Sequence, residues 1–348
     1  MPEPRKNLES VRSKDALAIT LAQVAGVIPV TRLGRTLPPT SFLRLLVIIR
    51  TAALVSIALL AALGASFAWL VPAAAVAGSV NGAAFGYLRS VLNQLTPPSR
   101  LPRALGIAAT LNEVCFVAAP VMASGLGTVS PVMSVLALAL LGALPAVLVP
   151  RTRALPVAGP HHAGASPFDR AIMLWLLCAA SVGAAVAAIE IGAVELALRF
   201  GHGPAMAILF TIPLCLASVT GGIWVSVRNR MATRRAVVAQ LCIMTTGSVL
   251  AALEASVAVT VVGTVLIGIV LAPLGTYTSL VLDALAPPQR RAEVFALLRV
   301  ANATGIILAS GILTTSSLSL LLQAVTGLLA AVTLVVAAAS LRDRGGRA

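Results

Sequence analysis

Charge is scarce in this chain. Only 10% of its 348 residues are Asp, Glu, Lys or Arg, and 59% are hydrophobic. A soluble domain carries about 25% charged residues, so a water-facing surface of ordinary polarity is excluded. Histidine and cysteine are nearly as rare, with three and four residues. Cys115, Cys178, Cys215 and Cys242 stand singly inside apolar runs, without metal or redox spacing, and read as small packing residues. His161, His162 and His202 fall in loops. With no ligand-spaced cluster and no nucleophile–base constellation, no metal and no cofactor is expected and an enzyme is set aside. Acidic residues number 11 against 25 Lys and Arg, a net charge of +14. In a soluble protein that excess would point to nucleic acid. Here the arginines read as loop charges that set membrane topology, and no nucleic acid is expected as a partner.

What the chain has is apolar runs of about 20 residues, the length that crosses a bilayer as a helix. Mean hydropathy is +1.00. Long Ala/Leu/Val runs with Gly favour helices over the alternating segments of an outer-membrane barrel. The runs are Asp15–Val30, Leu43–Gly64, Leu70–Leu95, Ala104–Gly125 and Pro131–Val149, then Ile172–Arg199, Ala205–Val227, Ala236–Leu253, Val257–Leu285, Ala292–Thr314 and Leu318–Leu341. The expected fold is an all-α integral membrane protein of about 11 helices in the lipid bilayer. The first run, short and preceded by Arg5, Lys6, Arg12 and Lys14, also has the features of a signal peptide.

Two stretches, matched in their surroundings, lead to the expectation of a duplicated chain. Leu95-Thr-Pro-Pro-Ser-Arg100 and Leu285-Ala-Pro-Pro-Gln-Arg290 stand 190 residues apart, each between apolar runs, and Asn112 answers Asn302 at the same offset. This predicts two similar bundles, 1–150 and 170–348, related by an axis along the membrane normal and joined by the Pro/Gly/His-rich linker 151–169.

Every second connection is basic: Arg32/Arg35/Arg44, Arg100/Arg103, Arg151/Arg153/Arg170, Arg228/Arg230/Arg234/Arg235, Arg290/Arg291 and the tail Arg342/Arg344/Arg347. That alternation puts these loops, the linker and the C-terminus in the cytoplasm, with the chain multi-pass in the cell membrane. The N-terminal tail does not fit, since an odd helix count leaves it outside. The counterpart of Ile172–Arg199 would fall at about −18 to 9, before the chain begins. One helix of the first half is therefore expected to be absent, through a misplaced start, a shortened chain or gene decay.

Three local patterns carry a resemblance to a known family. Thr31-Arg32-Leu33-Gly34-Arg35 keeps the Arg-x-Gly-Arg of a Gly-x-x-x-Asp-Arg-x-Gly-Arg loop, with Thr31 where that loop has Asp, and Arg228-Asn-Arg230 is a weaker second copy. Ala119-Pro120-Val-Met-Ala123-Ser124-Gly125 keeps small residues around a proline, as in an antiporter Gly-Pro-x-x-Gly-Gly pattern. Asn112-Glu113 looks like a pair found in bacterial drug- and sugar-efflux-like members. With two six-helix halves and a cytoplasmic linker, the chain resembles the major facilitator superfamily over nearly its whole length. The resemblance implies a secondary transporter or antiporter that moves a small-molecule substrate by alternating access. The lost Asp bears on its gating.

Ionisable groups inside a membrane are functional candidates by default. Glu113, about two turns into its run, and Glu190, deep in the first helix of the second half, are the candidates for proton coupling or substrate contact, with Asn112 and Asn302. A desolvated carboxyl can take up and release a proton near neutral pH. The bland alternative for Glu113 is a structural tie to a nearby Asn or Arg. Glu195 and Arg199 read as an i,i+4 pair near the outer end. Arg89 either holds an anionic group, neutralises Glu113 or snorkels to the surface, and Arg299 has the same alternatives. Arg32 and Arg35 of the motif loop, with Asp283, Arg290, Arg291 and Glu293 of the second half, are candidates for a cytoplasmic gate. Ala119, Pro120, Ala123, Ser124 and Gly125 form a helix-packing motif, as do the glycines Gly78, Gly82 and Gly86. Trp69, Trp175 and Trp224 lie near run ends as interfacial anchors do. Walls of Ala, Val and Leu favour an apolar or amphipathic solute.

The expected function is efflux of such a molecule by a monomer coupled to protons. The alternative is a decayed or non-transporting relative that keeps the fold as a membrane scaffold or accessory protein.

Overall fold

A computed structural model of the chain describes residues 29–34, 37–150, 169–229, 233–287 and 290–345, without the side chains at 67, 116, 117, 120, 121, 123, 124 and 341–345. The basic tail, most of the Asp15–Val30 run with its signal-peptide alternative, linker residues 151–168, Arg35, Arg230 and Arg347 lie outside the described residues.

All described elements are helical. They are α1 (Pro39–Ala62), α2 (Phe67–Leu95), α3 (Leu101–Val129), α4 (Pro131–Leu148), α5 (Arg170–Arg199), α6 (Ile208–Arg228), α7 (Arg234–Ala252), α8 (Val257–Leu285), α9 (Arg291–Thr315) and α10 (Leu318–Gly345). Residues 29–33 are helical as well. Among the described residues, nine helices are long and apolar enough to cross a membrane, and α3, at 29 residues, matches them in length. A helix of 24 residues such as α1 rises about 36 Å, enough for a hydrocarbon core of about 30 Å. The protein is an all-α, multi-pass membrane protein.

Helix boundaries repeat along the chain. α2 and α8 are both 29 residues long, and their first and last residues stand 190 positions apart. α1 and α7 end at Ala62 and Ala252, and α3 and α9 begin at Leu101 and Arg291, at the same spacing. The Pro-Pro stretches explain the register. A proline ring removes a backbone donor and pushes the residue before it out of the helical region. Thus α2 stops at Leu95, a 3-10 turn spans Pro98–Arg100, and α3 starts at Leu101. In the second copy α8 stops at Leu285, and Arg290 donates to the Pro287 carbonyl at 2.8 Å just before α9.

A turn at the other end of the helices repeats too, with a change of chemistry. Gly64, at φ +65°, closes α1: its N–H donates to Ala61 O at 3.2 Å and the Ala65 N–H to Leu60 O at 2.9 Å. The residue 190 positions on is Glu254, also left-handed at φ 46°. A side chain there costs on the order of 1 kcal/mol relative to glycine. Its carboxylate is tied down: Oε2 accepts from Arg199 at 2.6 Å and Oε1 from the Ser319 hydroxyl at 2.8 Å. Arg199 also pairs with Glu195 at 3.0 Å. The expected Glu195–Arg199 pair thus exists within a larger network joining α5, the α7–α8 turn and α10.

Packing divides the chain into two compact units. One contains the described residues up to 95, 118–150 and 287–300. In it α1 packs against α2 and α4, over a core that includes Phe42, Leu43, Leu46, Val80 and Tyr87. The other contains 96–117, 169–286 and 301–345. There α8 packs on α5, α6 and α7, and α10 on α5 and α7. Small residues of α5 such as Ala184, Ala185 and Ala188 meet Phe210, Leu241 and Met244 in its core.

Candidate functional site

The second unit brings carboxylates of two helices together. Its part of α3 lies along α6 because glycines open the contact. A Cβ on Gly106 would stand 2.9 Å from the Ser226 nitrogen, and one on Gly222 would collide with the Thr110 side chain. Gly106, Thr110 and Glu113 are spaced by four and three, one face of α3. Ser226, Gly222, Ser218 and Cys215 descend α6 by four, four and three. Two such faces run antiparallel, so the next meeting point after Thr110 and Gly222 is Glu113 with Ser218. The Glu113 carboxyl lies beside the Ser218 hydroxyl and the Asn112 amide. Ser218 is fully buried, and its Oγ makes no hydrogen bond of standard geometry.

Glu190 of α5 faces the same place. Glu113 and Glu190 lie within electrostatic reach of each other, and Cys215 is within reach of both. Glu113 is half-buried and Glu190 exposed. Because α3 starts at Leu101, Glu113 sits about 18 Å along its helix, deeper than a run beginning at Ala104 implied. Among the described residues no group of three or more His, Cys, Asp or Glu is arranged to hold a metal.

Asn302 has a packing position: its backbone abuts Gly183 of α5, where a Cβ would stand 2.9 Å from the Asn302 carbonyl oxygen. Asn112 is exposed on α3 and Arg89 half-buried on α2. Arg299 stacks over Phe85 with its guanidinium carbon 5.7 Å from the ring centre, a cation–π contact. Pro120, Ala123 and Ser124 have no described side chains. Ala119 is exposed, and a Cβ on Gly125 would meet nothing within 4 Å.

Arg89 is not the only deep basic residue of the first half. Arg50, the twelfth of the 24 residues of α1, donates from Nη1 to Asn81 Oδ1 of α2 at 3.2 Å. Its other guanidinium nitrogen lies against Gly142 of α4, where any Cβ would collide with it. The signal was in the sequence, an arginine in mid-run, but counting Arg residues by loop passed over it.

The motif loop has a definite geometry within the first unit. Arg32 Nε is 3.4 Å from Glu293 Oε1, with Arg32 54% and Glu293 3% exposed. Thr31, in the place of the family Asp, is buried, and its carbonyl accepts from the Tyr87 hydroxyl at 3.1 Å. Phe42 and Tyr87 stack 4.9 Å apart and press on Gly34, leaving no room for a Cβ. Arg290 is half-buried just before α9, Arg291 is the first residue of α9, and Asp283 lies in the last turn of α8. The second motif copy works through the residue between its arginines. Asn229, left-handed at φ 42°, ends α6. Its Oδ1 accepts from the Arg103 N–H at 3.0 Å and its Nδ2 donates to Ser99 O at 2.9 Å, clamping the start of α3. Asn at a left-handed C-cap position is a readable signal; its partners are not.

Three solved structures illustrate the likeness of fold. The human organic anion transporter is 16% identical, with a TM-score of 0.74 over 92% of this chain and 82% of that one. A bacterial homologue of the iron transporter ferroportin, in its outward-facing state, is 13% identical, with a TM-score of 0.74 over 95% and 90%. The E. coli fucose:proton symporter is 13% identical, with a TM-score of 0.68 over 92% and 90%. No curated protein sequence matches the chain. The family model described as Major Facilitator Superfamily matches residues 16–310. Helices that repeat at a fixed spacing, a motif loop built on Gly34 and a match over most of the length lead to one conclusion: the chain belongs to the Major Facilitator Superfamily of membrane transporters.

Proposed function

We propose that this transporter is a proton-coupled exporter of the bacterial drug- and sugar-efflux type, moving a small apolar or amphipathic molecule by alternating access. The observation that supports coupling is that Glu113 of α3 and Glu190 of α5 lie within electrostatic reach of each other. Interacting carboxyls titrate as a pair, and a pair that takes a proton on one side and releases it on the other is what coupling requires. The walls of Ala, Val and Leu favour the apolar part of a substrate. The chain acts as a monomer of two bundles, 1–150 and 170–348, in the cell membrane with its basic loops and C-terminus in the cytoplasm. The test is flux in sealed vesicles containing the purified protein. An imposed proton gradient should drive accumulation of amphipathic dyes against their own gradient, and a protonophore should collapse it. Dye movement indifferent to the gradient would sink the coupling.

Cys215 offers a probe of the pair. With Cys115, Cys178 and Cys242 replaced by Ser, a positively charged methanethiosulfonate should modify Cys215 faster than a negatively charged one. A difference of 1.4 kcal/mol in local potential corresponds to tenfold in rate. The preference should fall when Glu113 and Glu190 are both changed to Gln. Equal rates before and after would mean that the thiol does not sense the carboxylates.

Arg32 and Glu293 are assigned to the cytoplasmic gate, and Arg35, Asp283, Arg290 and Arg291 are its further candidates. A partly exposed ion pair contributes about 0–1 kcal/mol, enough to move a conformational equilibrium up to about fivefold. Arg32→Glu should shift the protein toward the inward-open form, read by labelling of a cysteine near the cytoplasmic helix ends. Adding Glu293→Arg should restore the original bias. A double variant that labels like the single one rules this gate out.

A further inference from the structure

A crevice of about 430 Å³ opens at the arginine-rich ends of α6 and α7, against α8. Its size is that of a small-ligand site, about 300–1,000 Å³. Arg228 stands at its mouth, with its guanidinium carbon 5.2 Å from the centre of the Trp224 ring. Thr233, which caps the N-terminus of α7 by accepting from the Ala236 N–H at 3.3 Å, is beside it. Deeper lie two polar groups without hydrogen-bond partners, the Gln240 amide oxygen and the Thr276 hydroxyl. Thr276 is 4% exposed. A buried hydroxyl left unmatched is unfavourable, so Thr276 can donate to an acceptor that enters the crevice. Pro273 and Leu280 make the rest of the wall apolar, and none of the lining residues is acidic.

Depth and charge identify the ligand. Arg228 ends α6 and Thr233 precedes α7, so the mouth is at the level of lipid headgroups, where arginines and tryptophan collect. Gln240 is six residues into α7 and Thr276 nine residues before the end of α8, about 9 and 14 Å below the mouth. That is the span from a phosphate to the ester groups of a glycerolipid. The mouth combines Arg228 with the start of α7 and its Arg234 and Arg235, a setting that favours an anion.

We propose that this crevice binds an anionic phospholipid, its phosphate on Arg228 and the start of α7, an ester carbonyl accepting from the Thr276 hydroxyl, and its chains over Pro273 and Leu280. Trp224 reports occupancy. With Trp69→Phe and Trp175→Phe, Trp224 remains as the only tryptophan, and its fluorescence is quenched by lipids with brominated chains. In vesicles mixing phosphatidylglycerol with phosphatidylcholine, brominated phosphatidylglycerol should be preferred at this position about tenfold. Arg228→Gln should bring the preference close to one, whereas Arg100→Gln, at another basic loop, should leave it in place. Native mass spectrometry of the protein with all three tryptophans should show the same loss of retained phosphatidylglycerol. Equal quenching by both lipids, or a preference unaffected by Arg228→Gln, overturns the proposal. So does displacement by millimolar inorganic phosphate, which would mean an ion site, not a lipid site.

Discussion

Changing Glu113 or Glu190 to Gln should reduce gradient-driven transport to the level of empty vesicles while the protein still inserts and purifies as a folded species. Gln keeps the size and hydrogen-bonding reach of Glu but cannot titrate. Both residues sit where α3, α5 and α6 converge, and each acts within the field of the other. Removing either charge removes the shared proton site, so each single variant should be as defective as the double. That non-additivity is the mark of groups that act as a unit. Glu190→Asp keeps a titrating carboxyl one methylene further back and should retain part of the activity. Measured as dye accumulation against pH, full and still pH-dependent flux in both Gln variants would remove the pair from the mechanism. Loss of flux in the Asp variant equal to that in Gln would point to shape and not to titration.

The second large effect concerns what holds Glu190 in place. α5 crosses α9 at backbone distance. A Cβ on Gly305 would lie 2.9 Å from the Ala184 nitrogen and nearer still to the Ala180 carbonyl oxygen, while Gly183 meets the Asn302 carbonyl from the other side. These obstacles are backbone, which cannot rotate away. Gly305→Ala should therefore destabilise the protein by about 1–3 kcal/mol, the range for forcing a methyl into a packed contact, and Gly305→Leu should prevent assembly. Gly311, six residues on in the same helix, meets nothing within 4 Å of an added Cβ. There Ala should be neutral or stabilising by up to about 1 kcal/mol, since it restricts the unfolded chain. Thermal unfolding in detergent separates the two. Similar shifts for Gly305→Ala and Gly311→Ala would mean that the crossing is looser than the packing indicates. Gly183 lies two turns before Glu190, so a displaced crossing should also lower transport in those Gly305 variants that still fold.

In the sequence these glycines are simply small residues in apolar runs, with nothing to rank them. Gly125 and Gly305 look alike as small residues in apolar runs, yet one faces open space and the other a helix backbone. The difference is a matter of which face of which helix meets a neighbour, and that depends on partners far away in the chain. The same holds for Glu254. In sequence it is an acidic residue in a short turn; in the structure it occupies the left-handed position that Gly64 holds in the first half, kept there by Arg199 and Ser319.

The sequence by itself determined the class of the protein, most helix boundaries to within a few residues, and the 190-residue spacing of the Pro-Pro stretches. Hydropathy, Pro-Pro breaks and loop arginines act locally, through solvation and through dihedrals that proline fixes. The ends of α1 and α7, both ends of α2 and α8, and the starts of α3 and α9 therefore fall 190 residues apart. It also marked Glu113 and Glu190, because a carboxylate in an apolar run stands out whatever surrounds it. Only the tertiary structure decided that these two carboxylates and Cys215 come within electrostatic reach of one another, that Ser218 lies beside Glu113, that Arg50 is held by Asn81 against Gly142, and that Arg32 reaches Glu293 while Asn229 clamps the start of α3. Each of those contacts joins residues of different helices. Helix pairing in lipid is selected by small-residue packing and by polar groups finding partners, properties of two surfaces together that neither run carries alone.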